Sequence, residues 1–199
     1  MPLPDLRIAL AIVEAPLGQV AANFDRTAAW TGRARDEGAR VLCVPEMNLT
    51  GYSTREVIKN VTRSIDSPLV RQLERLSQDS GLVILAGLAE ADRHGRLFAS
   101  HVVAAPGRTV AVYRKTHVAP PEQALFHPGE NIPLFEIDGW RFGIQLCYDA
   151  HFPELATRMA LDGADVIFGP HASPRGTPQG KLDSWQRHLP ARAFDNGLY

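Results

Sequence analysis

The sequence predicts an α/β protein: a mixed β-sheet covered by helices, or two such sheets packed face to face. Three observations carry this. Short buried apolar runs alternate with amphipathic helical segments, as in βα units. Hairpin turns interleave with those units, which makes the sheet mixed rather than wholly parallel. Finally, Gly38–Pro45 (GARVLCVP) is echoed by Gly163–Pro170 (GADVIFGP), each a helix stop, a buried strand and a closing proline, which points to two similar αβ halves.

The elements follow in order. Arg7–Val13 reads as a buried strand, and Gln19–Glu37 as a helix closed by Gly38. Val41–Val44 is the next strand. Ser67–Asp79 is an amphipathic helix: Leu69, Val70, Leu73 and Leu76 recur at helical spacing, Pro68 sits in the first turn, and Gly81 follows. Leu82–Leu88 is a strand that turns at Arg93–Arg96 into Leu97–Ala105, and Pro106–Arg108 turns again into Thr109–Arg114. Thr116–Asn131, with Pro120, Pro121, Pro128 and Gly129, is a long structured loop of the kind that often carries function. Leu134–Ile137 and Arg141–Leu146 pair about Asp138 and Gly139. Pro153–Leu161 is a helix and Asp165–Phe168 a strand. Gln179–Phe194 is mostly helix, disturbed at Pro190, and is expected to pack on the sheet, with Asn196–Tyr199 starting to extend toward a strand position.

Composition bounds the function. At 199 residues, 45% hydrophobic and 22% charged, the chain is long enough for one domain with a substantial core. Its net charge is −1 and it has no basic run, which argues against nucleic acid or an anionic membrane as the partner. No apolar stretch approaches the roughly 20 residues of a membrane span, and the N-terminus does not read as a signal peptide. The two cysteines, Cys43 and Cys147, form no CxxC pair, so neither a disulfide framework nor a zinc knuckle is expected and the compartment reads as cytoplasmic.

Three strand ends carry chemistry. Cys147 closes the run Trp140–Leu146 just before a turn into a helix, where ligands bind and where backbone N–H groups lower a thiol's pKa. Val41–Pro45 leads to Glu46, and Thr109–Arg114 leads to Lys115. A Cys nucleophile needs a proton acceptor and an oxyanion holder. Glu46 suits the first role; Lys115 and the Tyr148 N–H suit the second. Glu122 could orient the lysine or position the leaving amine. Each residue also has a plain reading: a lone Cys after a strand is more often core, and a charge after a strand is more often solvated. Spacing alone leaves these alternatives open. Cys43, mid-strand, reads as core.

The seven histidines show no HxxxH or HExxH spacing. Cys147, Asp149 and His151 alternate but lack a fourth ligand, so no metal is assigned. His171 follows a strand end and reaches toward the pocket rim or remains a plain loop residue. A Cys–His hydrolase with His117 or His151 as base is a competing arrangement.

The segments Val44–Tyr52 (VPEMNLTGY), Tyr113–His117 (YRKTH) and Leu146–Glu154 (LCYDAHFPE) resemble, in order and separation, the three signature blocks of the nitrilase superfamily of carbon–nitrogen hydrolases. Phe126–Glu130 and Pro190–Gly197 fit as well. The resemblance implies an α-β-β-α sandwich and a Glu46–Lys115–Cys147 triad. It also implies Glu122 as the supporting carboxylate and hydrolysis through a thioester without a cofactor. Tyr52, which closes the first block, and His171 are assigned to substrate binding. The form of the third block looks more like amidases and carbamoyl-amide hydrolases than true nitrilases. The implied partners are a small amide or N-carbamoyl substrate and further copies of the chain in a homo-oligomer. Family members continue past the Asp195–Gly197 segment, so residues 1–199 are expected to be one hydrolase domain lacking C-terminal strands and tail. A truncated chain acting as a binding or assembly module is the alternative.

Overall fold

The computed structural model describes residues 3–172 and 176–199. A first sheet runs in the order β1 (Ile8–Leu10), β2 (Val41–Cys43), β3 (Val83–Ala91), β4 (Leu97–Ala104) and β5 (Ala111–Arg114). Its first three strands are parallel, and β3, β4 and β5 return antiparallel through the turns the sequence marks. A second sheet holds β6 (Phe135–Ile137), β7 (Trp140–Ile144) and β8 (Val166–Phe168), with β6 antiparallel and β8 parallel to β7.

Strand periodicity builds the layers. Alternate residues of β2 point to opposite sides, so Leu42 and its follower Val44 face one way and Val41 and Cys43 the other. Leu42, Val44, Ile84, Ala86 and Val102 pack under α1 (Val20–Asp36) and α2 (Pro68–Ser80), where Leu69, Val70 and Leu73 supply the helical stripe. On the other face Val41, Cys43, Val83, Leu85 and Val103 meet Ile137, Phe142, Ile144, Val166 and Phe168 of the second sheet. Beyond that sheet α3 (Pro153–Leu161) adds Leu155 and Met159. A Cβ on Gly143 would stand 2.5 Å from the Met159 sulfur, so glycine lets helix and strand approach. The result is the expected α-β-β-α order.

Two expectations need correction. β1 is shorter than Arg7–Val13: it is an edge strand, and Leu10 and Ile12 are 72% and 96% exposed. The segment Gln179–Phe194 is not one helix on the sheet. It divides into α4 (Pro178–Gln186) and α5 (Leu189–Asn196), and Pro190 falls in the first turn of α5, where its missing N–H costs nothing. Neither helix buries a residue, and α5 lies against α3. Asn196 is still helical. Gly197, in the left-handed region at φ 62°, ends α5, and Tyr199 pairs beside β8: its N–H donates to Asp165 O and its carbonyl accepts from Ile167 N–H, each at 2.9 Å.

Candidate active site

The loop after β2 is fixed by side chains that stand in for a strand. The Asn48 amide donates to Thr27 Oγ1 at 2.9 Å, its Oδ1 accepts the Gly87 N–H at 2.8 Å, and Thr50 Oγ1 accepts the Ala89 N–H at 3.0 Å. Met47 takes a φ of 52° there, and a Cβ on Gly87 would stand 2.2 Å from the Met47 nitrogen. Only glycine on β3 admits this loop, which turns Glu46 inward to 2% exposure. Lys115 extends the β5 ladder through its N–H to Ala99 O at 2.9 Å, and its side chain is fully buried.

Two carboxylates close on that ammonium. Lys115 Nζ lies 2.8 Å from Glu46 Oε1, 2.9 Å from Glu122 Oε2 and 3.1 Å from Glu122 Oε1. Glu122 sits in a single 3₁₀ turn, Pro120–Glu122, and also accepts the Ala119 N–H at 3.0 Å and the Tyr52 hydroxyl at 2.8 Å. The second oxygen of Glu46 accepts the Ala172 N–H at 3.2 Å. Burial works to lower the Lys115 pKa, but Glu46 and Glu122 together raise it above its ordinary value. Burial raises that of Glu46; Lys115 offsets part of this and Glu122 adds to it. One cation thus serves two anions, and Glu46, whose pKa burial raises, is the one poised to take a proton.

Cys147 follows β7 in the second sheet and begins a 3₁₀ turn, Cys147–His151. Its φ is 47°, a left-handed conformation uncommon outside glycine, and its N–H donates to Pro170 O at 3.0 Å. The thiol is half-buried. Tyr148 is the second residue of that turn, where N–H groups have no acceptor within the turn itself. Cys147 lies within electrostatic reach of Tyr52, whose pKa is raised by burial first, then by Glu122, and further by Glu46 and Cys147. Cys43, in contrast, lies in the core, and burial pushes its thiol up to about 12.

His171 follows β8 at the rim, its Nδ1 2.6 Å from Gly169 O and its ring against Trp185. Burial lowers its pKa to about 4, and the charges of Lys115 and Lys181 add to this, so it is neutral. Of the two alternative bases, His117 has its ring Nδ1 3.1 Å from Asp149 Oδ1 and stacks on Phe152, and the His151 ring lies against His188 and Tyr148.

Asp149 has a place that sequence reading missed. It is fully buried and bonds across both sheets. Oδ2 accepts the Tyr113 hydroxyl at 2.7 Å and the Leu146 N–H at 2.9 Å; Oδ1 accepts the His117 N–H at 2.8 Å and the Thr116 hydroxyl at 3.1 Å. It fastens the segment following Lys115 to the segment holding Cys147. That use rules it out of the Cys147, Asp149, His151 ligand set, and no group of three metal-binding side chains occurs among the described residues. The signal was in the sequence, as an acid two residues after the thiol, but its partners lie on a distant strand.

The sequence profile of the carbon–nitrogen hydrolase family matches residues 7–199. A Pseudomonas protegens protein named "Hydrolase in pqqF 5'region" is 35% identical over 184 residues, 90% of this chain and 62% of that protein. A Pyrococcus abyssi nitrilase is 32% identical over 181 residues, 89% of this chain and 66% of its own length. N-carbamoylputrescine amidase of Solanum tuberosum is 26% identical, covering 82% of this chain and 58% of that one. The chain therefore spans somewhat under two thirds of the length of such relatives. Among solved structures, a cysteine-to-alanine variant of the Nesterenkonia sp. AN1 amidase in complex with butyramide superposes with a TM-score of 0.86 at 26% identity, covering 98% of this chain and 76% of that one. Another variant of that amidase carries the acetamide moiety of fluoroacetamide added covalently at its active-site cysteine (TM-score 0.86, 25% identity, 100% of this chain and 76% of that one).

Proposed function

The chain belongs to the carbon–nitrogen hydrolase family, within the nitrilase superfamily, and from that premise we propose that it cleaves the C–N bond of a small amide or N-carbamoyl compound through a Cys147 thioester. The observation that carries the reading is the buried Lys115 ammonium shared between Glu46 and Glu122. A structural ion pair needs one carboxylate; a second buried carboxylate is costly, and Glu46, whose pKa burial raises, fits a group that must exchange protons.

Glu46 takes the thiol proton as sulfur attacks the carbonyl carbon. The oxyanion is held by the Lys115 ammonium and the Tyr148 N–H. Glu46 then returns that proton to the departing nitrogen, the C–N bond breaks, and ammonia or an amine leaves a thioester behind. Glu46 next draws a proton from water, hydroxide adds to the thioester, and the thiol departs with its proton restored, releasing the acid. Glu122, itself held by Tyr52 and Ala119, keeps Lys115 charged and in place. A chain with two cysteines and no CxxC pair fits a cytoplasmic setting, and the exposed apolar edge at Leu10 and Ile12 supports self-association, which light scattering checks.

The test is Cys147→Ala against a panel of amides, carbamoyl amides and nitriles, followed by ammonia release. Turnover should vanish while the circular dichroism spectrum and melting point stay close to the parent. Steady-state hydrolysis above the uncatalysed rate in that variant would exclude the thioester route.

A further inference from the structure

Beside Tyr52 lies a cavity of about 330 Å³, walled by Tyr52, Ser53, Thr54, Arg55, Ala119 and Lys181 among others. That is the size of a small-ligand site. Two of its walls belong to the catalytic cluster: Tyr52 donates to Glu122, and the Ala119 N–H does the same. Tyr52 also lies within electrostatic reach of Cys147, and His171 at the rim within that of Lys181, so the cavity wall adjoins the thiol.

Its charge is one-sided. Arg55 and Lys181 line it and no acid does. Among the described residues neither cation forms an ion pair, although acids stand near both in sequence. Glu56 is taken by Lys59 at 2.6 Å, Glu122 by Lys115, and Asp183 accepts from Gln179 at 2.7 Å. Lys181 is half-buried and Arg55 stands at the exposed rim. Thr54 adds a half-buried hydroxyl. Two unneutralised cations and a hydroxyl converging on one concavity raise the local concentration of anions and repel cations.

We propose that this cavity is a carboxylate subsite, and that the preferred substrate is an amide or N-carbamoyl compound bearing a free carboxylate a few bonds from the scissile carbon. The inference rests on the hydrolase reading above. The amide end occupies Cys147, the tail passes Tyr52, and the carboxylate is met by Lys181 and Arg55. A substrate with an ammonium tail is disfavoured by the same charges.

Three amides of similar length separate the cases: succinamate, butyramide and 4-aminobutyramide. The full chain should turn over succinamate with kcat/KM about tenfold or more above butyramide, and 4-aminobutyramide below both. In Arg55→Gln/Lys181→Gln the succinamate-to-butyramide ratio should fall to near one, chiefly through the KM of succinamate. A ratio near one in the parent, or one that survives in the double variant, overturns the subsite while leaving the hydrolase reading standing. Calorimetry with the Cys147→Ala protein tests the subsite apart from turnover. Succinamate should bind more tightly than butyramide, the difference should shrink with added salt, and it should vanish in the double variant. If that holds but no amide is ever hydrolysed, the subsite stands and the hydrolase reading fails; if succinamate binds no better than butyramide, the subsite is wrong.

Discussion

Replacing Lys115 with methionine removes the cation and nearly preserves the side chain's length, so it isolates the electrostatic part of the site. The ammonium is fully buried and lies 2.8 Å from Glu46 and 2.9 Å from Glu122. Without it the two carboxylates face each other, keeping, among the described residues, only the Ala172 N–H on Glu46 and the Ala119 N–H and Tyr52 hydroxyl on Glu122. Removing one partner from a buried ion pair costs about 3–5 kcal/mol, and this cation serves two anions, so the upper part of that range is expected at neutral pH. The pH dependence has a definite sign. Burial already holds the Glu46 pKa above its ordinary 4.5, and loss of Lys115 raises it further. A carboxyl whose folded pKa is raised contributes most below its unfolded value and loses that contribution as pH rises through the folded value. The variant's deficit should therefore grow between pH 5 and pH 8. Urea unfolding of both proteins at the two pH values measures it, and adding Glu122→Gln to Lys115→Met should recover part of the loss at pH 8 by removing one buried charge, without recovering activity. A deficit under about 1 kcal/mol, equal at both pH values, would mean the ammonium is not the neutralising element described.

Asp149→Asn should cost about 2–4 kcal/mol, because an amide nitrogen must face one of two donor pairs, Tyr113 with Leu146 or Thr116 with His117. It should lower kcat more than it raises KM, since it loosens the link between the Lys115 and Cys147 segments; a destabilisation below about 1 kcal/mol with kcat intact would refute that role. Iodoacetamide should alkylate Cys147 well before Cys43, whose thiol burial raises to about 12, and peptide mapping after brief labelling would expose a reversed order. His101 is fully buried, and burial drops its pKa to about 3, so the folded state binds its proton less readily than the unfolded one. Stability should fall as pH drops from 6.5 toward 3, by at most about 1.4 kcal/mol per unit. The slope should be missing in His101→Leu, and parallel pH profiles for the two proteins would count against it.

What the sequence made legible was local. Strand ends at Glu46, Lys115 and Cys147 could be seen because each residue follows, within three positions, a short and mostly apolar strand bounded by turn glycines and prolines. The helix Pro68–Ser80 appeared almost residue for residue for the same reason: a four-residue stripe, a first-turn proline and a left-handed Gly81 at φ 73°. The C-terminal segment was misjudged because amphipathicity does not say which surface a helix covers, and a proline reads alike whether it breaks one helix or starts another. The extent of β1 was overstated because an apolar run cannot tell an edge strand from a central one.

The repeated segment carries the argument one step further. Gly38 and Gly163 both adopt positive φ, at 75° and 92°, and each opens the return strand of a parallel βαβ unit, β1-α1-β2 in one sheet and β7-α3-β8 in the other. Each return strand leads to a proline, and the next residues are Glu46 and His171, which therefore occupy equivalent positions in the two halves. Cys147 comes from the opposite kind of position, the end of a first strand, β7. Glu46 and Lys115 thus stand on one sheet and the thiol on the other. No single sheet can hold the set, so the inter-sheet core of Val41, Leu85, Tyr113, Phe142 and Ile144 governs its geometry as directly as the polar residues do. Asp149 makes a buried polar bridge across that seam, joining Tyr113 and His117 of one side to Leu146 of the other. Beyond the residue's place two positions after the thiol, such a duty leaves no mark in the local sequence. Its partners are 36, 32 and 3 positions away, and only the packing of two sheets brings them to one carboxylate.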